Sequence, residues 1–130
     1  MQYTLARGAE AYRQAHVQSR SPLELIVMLY DGALRFCRET EEAIARKDLV
    51  AKREALNRVF AILSELQGTL NIEQGGQTAA SLDSLYAYMI DRLTEANVQL
   101  KPAPVQEVIT LLTGLRDAWA AVAQAPPPAA

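Results

Sequence analysis

The chain has 130 residues, half of them hydrophobic but only 6% aromatic, which suits one domain with a mainly aliphatic core. A formal charge of −2 and a pI near 5.4, with Lys and Arg scattered along the helical segments, exclude the basic footprint of a nucleic-acid binder. Cys37 is the single cysteine, so an internal disulfide is excluded, in keeping with a reducing cytoplasm.

Residues 1–20 read as a mobile arm with a short helix near 8–15. Tyr3, Leu5, Tyr12 and Val17 are its only sizeable apolar groups. The opening MQYTLARGAEAYRQ lacks the apolar run flanked by positive charge that a signal peptide needs. No stretch approaches the roughly 18 consecutive apolar residues of a membrane span. The expectation is a soluble cytoplasmic protein that does not insert into membranes.

SPLE at 21–24 is a start signal. Ser21 can cap the free amides of the first turn, Pro22 suits the first helical position, and Glu24 completes a capping box. This helix should run to about Arg46, where RKD marks a turn. Asp48 is the expected cap of a second helix through about Leu70, whose apolar residues recur at spacings of three, four and seven. Gly75-Gly76 is expected to make a tight reversal. A third helix follows at about 78–99, with Leu82, Leu85, Tyr86, Met89, Leu93 and Ala96 on one face. KPAP breaks the pattern again, and Pro104 can open a fourth helix reaching 123. The APPPAA tail cannot continue it and reads as disordered. No strand pattern occurs, and the short links favour an all-α, antiparallel four-helix bundle over 21–123.

The first helix carries more apolar surface than one seam needs. With about 100° per residue, Leu23, Ile26, Val27, Tyr30, Ala33, Leu34, Cys37 and Ile44 share an arc of about 120°. Leu25, Leu29 and Phe36 form a second stripe beside it, with Gly32 adjacent. Either this helix touches two neighbours in the bundle, or the second stripe lines a groove for a partner segment, with Gly32 allowing close backbone approach.

Chemistry-bearing constellations are missing. His16 is the only histidine and precedes the first capped helix. No Glu-x-x-His pair supports a carboxylate-bridged di-metal bundle, and a lone Cys with a lone His gives no nucleophilic site. Neither catalysis nor a metal or other cofactor is expected. Trp119 reads as a core anchor.

Three ordered blocks carry a family resemblance: AYRQAHVQSRSPLELIVMLYDGALRF (11–36), GGQTAASLDSLYAYMIDRLTEAN (75–97) and EVITLLTGLRDAW (107–119). Together they resemble the flagellar secretion chaperones of the FliS family. Departures from the family pattern are Gln77 in place of an acidic residue, Ala87 in place of the aspartate of LYDYM, and Asn71 where TLD is common.

The resemblance implies a non-enzymatic helical bundle that binds the C-terminal segment of flagellin. That segment is disordered when free and folds into helices on the chaperone. Its coverage prevents premature polymerisation, and the cargo is delivered to the flagellar type III export gate. Client-binding candidates on the first helix are Leu25, Met28, Leu29, Gly32 and Phe36. Tyr86, Met89, Leu93 and Asn97 match motifs on the third helix, where most positions also suit the core and Asn97 suits a helix cap. Tyr12 and Val17 are candidates on the arm, which the family implies can lie over the client site. The alternative is a helical scaffold or signalling adaptor that recognises a folded partner.

Overall fold

Ser21 holds extended backbone (φ −70°, ψ 159°), and its hydroxyl accepts from the Glu24 amide at 3.2 Å. With Pro22 in the first turn, this cap launches helix α1, Pro22–Arg46. The structure, a computed structural model, describes residues 21–124 except for the Ile72 side chain. The expected arm with Tyr12, Val17 and its short helix, and the tail beyond Gln124, lie outside the described residues.

Lys47 stops α1 in the left-handed region (φ 60°, ψ 32°), and the Asp48 amide returns to the Ala43 carbonyl at 2.9 Å. The Asp48 carboxylate then accepts from the Ala51 amide at 3.1 Å and opens α2, Leu49–Gly68. This helix ends slightly before the expected Leu70. There the Thr69 hydroxyl donates to the Leu66 carbonyl at 2.7 Å, satisfying one of the free carbonyls of the last turn.

The link after α2 occupies 69–71. Asn71 caps the Gln74 amide at 3.1 Å and starts α3, Ile72–Gln99, six residues before the expected position. Gly76 (φ 56°, ψ −132°) interrupts α3 as a kink. That conformation is open to glycine alone, so the pair bends a helix that resumes beyond it. Leu100, again left-handed, ends α3, and α4 spans Ala103–Gln124 with Pro104 buried in its first turn.

Helix α1 packs on α2 and α4, and α3 packs on the same two. Contacts across each seam fix the directions. Gln67 reaches Asp83 and Lys52 reaches the Asn97 carbonyl across α2–α3, Arg92 meets Glu107 across α3–α4, and Arg116 meets Asp31 across α1–α4. In each pair the start of one helix faces the end of the next, so the four helices among the described residues form an antiparallel bundle, as the short links predict.

Burial is uneven along the bundle axis. The half nearest the Lys47–Asp48 turn is closed: Cys37 and Ala43 of α1, Leu56, Val59 and Leu63 of α2, Met89, Leu93 and Ala96 of α3, and Val105, Val108 and Leu112 of α4 are buried. Towards the other end the layers thin out. In α4, Leu115 and Trp119 are only half-buried, and Val122 is 54% exposed. Residues 73–78 of α3 are exposed, and positions 23–29 of α1 are all half-buried.

Candidate functional site: the open apolar end of the bundle

The boundary between the closed and open halves is marked by a polar contact inside the core. The Tyr30 hydroxyl of α1 pairs with the Tyr86 hydroxyl of α3 across the bundle, with both rings buried. The donor-only indole of Trp119 in α4 faces the same Tyr30 oxygen. Burial raises the Tyr30 pKa above its usual value against the lowering effect of these two neighbours, and it raises Tyr86 further, with Tyr30 adding to the rise. The three sequence blocks thus meet at one point, through a residue from each.

Next to it, Arg116 Nε donates to Asp31 Oδ1 at 2.8 Å. Both side chains are well exposed, so this bridge fixes register more than it adds stability. At the closed end, Glu107 of α4 accepts from the Tyr88 hydroxyl and from Arg92, both of α3, and these bonds hold its carboxyl below the usual range. Arg92 also pairs with Glu95.

The second stripe of α1 divides by height. An ideal Cβ on Gly32 would lie 3.4 Å from Ile62 Cδ1, so α1 and α2 approach closely there. One turn further on, Phe36 is buried, with the guanidinium carbons of Arg35 and Arg58 lying 4.7 and 5.1 Å from its ring centroid. Gly32 and Phe36 are therefore inter-helix contacts, as the reading of a helix touching two neighbours expects. Leu29 is half-buried and packs against the core. Leu25 and Met28 are half-buried near the start of α1.

The candidates on α3 separate in the same way. Tyr86, Met89 and Leu93 lie in the core, and their packing leaves little surface for a partner. Asn97 is exposed, and its backbone carbonyl receives Lys52 Nζ at 3.4 Å. Helix α3 ends beyond it, at Leu100, whose amide returns to the Ala96 carbonyl.

Leu25, Met28 and Leu29 thus share the open end of the bundle with apolar residues that are not among the client-binding candidates named from the sequence. These are Leu70 in the link after α2, Leu82 and Leu85 early in α3, and Leu115 and Trp119 late in α4, all half-buried and packed on the core. Their signal was present in the sequence as apolar periodicity. What identifies them as a group is the bundle direction, which brings those four helix ends together. An aliphatic, incompletely covered end of this kind offers van der Waals surface and few polar anchors. It suits an amphipathic or extended apolar segment better than a small polar ligand. Among the described residues no group of three His, Cys, Asp or Glu side chains is placed to hold a metal ion, and no helix is long and apolar enough to cross a membrane. Cys37 is buried beside Glu41, and its thiol is pushed up to about 12, which leaves it protonated and a poor nucleophile.

Residues 5–126 match the family described as flagellar protein FliS. The flagellar secretion chaperone FliS of Campylobacter jejuni is 40% identical over 119 residues, covering 92% of this chain and 91% of that protein. That of Salmonella typhimurium is 39% identical, with 88% of each chain covered. That of Bacillus subtilis is 38% identical, covering 84% of this chain and 80% of its own.

Proposed function

The chain belongs to the FliS family of flagellar secretion chaperones, and from that premise we propose that it holds the C-terminal segment of flagellin at the open end of its bundle. The segment folds into helices on this surface, is kept from polymerising, and is passed to the flagellar type III export gate. The work is done in the cytoplasm and without catalysis. Bonds to the client are not made or broken; its apolar seams are covered.

The observation that supports this reading is the half-buried run at 23–29 of α1, at the end where α2 has stopped and α4 has loosened. A disordered client bears its ordering cost on binding, so a broad apolar contact gives a reversible complex rather than a permanent one. Reversibility is what a cargo that must later be released requires.

Calorimetric titration with the C-terminal segment of the cognate flagellin tests the proposal. Saturable one-to-one binding with a strongly negative heat-capacity change, accompanied by a rise in helicity on mixing, is expected. Binding without a helicity change would point instead to a scaffold that recognises a folded partner. No binding by the folded protein would refute the chaperone reading of this surface.

A further inference from the structure

Trp119 is the last side chain of α4 packed on the core, and it stands where the closed half of the bundle gives way to the open end. Expected from the sequence as a core anchor, it is only half-buried. Beyond it α4 carries Ala120, Ala121, Val122 and Ala123, whose side chains are too short to replace an indole, and Val122 is 54% exposed. Contacts across the α1–α4 seam show what this last turn runs beside. Arg116 meets Asp31 and the Trp119 indole faces the Tyr30 oxygen, so in antiparallel order residues 120–123 lie level with 24–29 of α1. Ile26 and Val27, on the arc of α1 that also holds Tyr30, are half-buried there. Trp119 thus lies between the closed core and apolar surface that α4 covers only in part.

Hydrogen bonding holds the indole as well as packing. An indole N–H only donates, whereas a tyrosine hydroxyl can accept and donate at once. Tyr30, which is 0% exposed, can accept from Trp119 while its own proton goes to the Tyr86 hydroxyl. The chain runs from α4 through α1 to α3. It favours one ring orientation, because turning the indole away costs the Tyr30 oxygen a partner inside the bundle. With its N–H engaged there, what the indole offers outward is carbon.

On the chaperone reading above, we propose that Trp119 is a client-contacting residue, the floor on which an aliphatic side chain of the bound segment packs, and that Tyr30 is the positioning residue that orients it. The neighbours select an aliphatic occupant. Leu115 lies one turn before Trp119 on the same face, and Ile26 and Val27 stand level with the turn that follows. A preset aromatic ring gives a large contact area at little entropic cost, which is why tryptophan so often dominates binding energy.

Trp119 is the chain's only tryptophan, so intrinsic emission reports on this residue alone. The test titrates the full-length protein with the C-terminal segment of flagellin, made without tryptophan, and follows heat and emission together. Saturation should move the Trp119 emission to shorter wavelength and shield it from acrylamide. Trp119→Ala should weaken binding by roughly tenfold or more. Tyr30→Phe keeps its ring and loses the acceptor, and should weaken binding by roughly fivefold. In the free Tyr30→Phe protein the emission should already lie at longer wavelength, since the indole N–H turns to water. Val108→Ala, in the closed half, lowers stability and should bind as the parent does. Melting curves establish that each variant is folded at the temperature of the titration.

Four results would overturn the proposal: binding that leaves emission and acrylamide access as in the free protein; a folded Trp119→Ala variant that binds as the parent; an unchanged affinity and emission in Tyr30→Phe; or a loss in Val108→Ala equal to that in Tyr30→Phe, which would trace the effect to stability. Absence of any heat of binding with the folded parent would refute the chaperone reading itself, and is thereby distinguished from binding that bypasses Trp119.

Discussion

Replacing Tyr86 by Phe removes one oxygen from the interior and leaves the ring in place. In the parent, the Tyr30 and Tyr86 hydroxyls satisfy each other, and no side-chain polar atom buried among the described residues lacks a partner. After Tyr86→Phe, Tyr30, which is 0% exposed, keeps only the Trp119 side chain. Loss of a neutral buried hydrogen bond costs about 1 kcal/mol, and a fully orphaned group about 1–3 kcal/mol. Tyr86→Phe should therefore fall near the lower figure. Tyr30→Phe should cost more, because it strips the partner from Tyr86 and the acceptor from Trp119 together. The double variant has neither hydroxyl and should be less destabilised than the two singles summed, by about 1 kcal/mol of coupling. Urea denaturation measures this. With a slope of about 1–3 kcal/mol per molar, each 1 kcal/mol moves the midpoint by roughly 0.3–1 M. Additive singles would refute the pairing of the hydroxyls across the bundle. So would a Tyr30→Phe variant as stable as the parent.

Stability should decline under alkaline conditions. Tyr30, Tyr86 and Cys37 all have pKa values raised on folding, so their contribution is complete below the usual values of 10.0 and 9.0 and is lost as the pH rises through the folded ones. Melting temperatures recorded from neutral to strongly alkaline pH should fall from about pH 9 upward, and less steeply for Tyr86→Phe. Leu63→Ala, in the closed core, should cost about 2–5 kcal/mol in denaturant titrations. Leu25→Ala should cost under about 1 kcal/mol, since the side chain is half-buried, yet it should weaken flagellin binding in the calorimeter. Gly76→Ala puts a Cβ on mirror-extended backbone and should cost about 1–3 kcal/mol unless the 72–75 turn unwinds, which faster amide exchange confined to that turn would reveal.

Much of the bundle was legible because its punctuation is local. Ser21-Pro22 and Asp48 act on amides three residues away, so the sequence alone places those helix starts. Gly75-Gly76 does mark a break, since Gly76 is non-helical, but the glycines gave no sign of the helical turn at 72–75 that precedes it. The stronger cap was Asn71, one of the departures from the family pattern. For the site, a helical wheel gives the direction of a side chain but not what stands opposite. It could not show that Tyr86, Met89 and Leu93 are enclosed, or that Tyr30 and Tyr86 meet. Those facts depend on the register between helices, which is a tertiary property.

Register also explains why the second stripe of α1 is buried at one height and half-buried at another. Leu25, Leu29, Gly32 and Phe36 point roughly the same way around the helix. Opposite Phe36 stands Arg58, and opposite Gly32 stands Ile62, so residues on α1 and α2 match in antiparallel order. Continued upward, that order puts the Leu66 region near Leu29 and position 69 opposite Leu25. But α2 ends at Gly68. In that order Gly68 faces position 26, so α1 overhangs its neighbour by about four residues, or about 6 Å. The stripe is bundle core where α2 runs beside it and a partly open apolar surface where α2 has stopped. The inter-helix reading therefore holds at the height of Gly32 and Phe36, and the groove proposed above concerns only the part of the stripe near the start of α1. The length of α2, more than the hydrophobicity of α1, sets how much apolar surface is left uncovered.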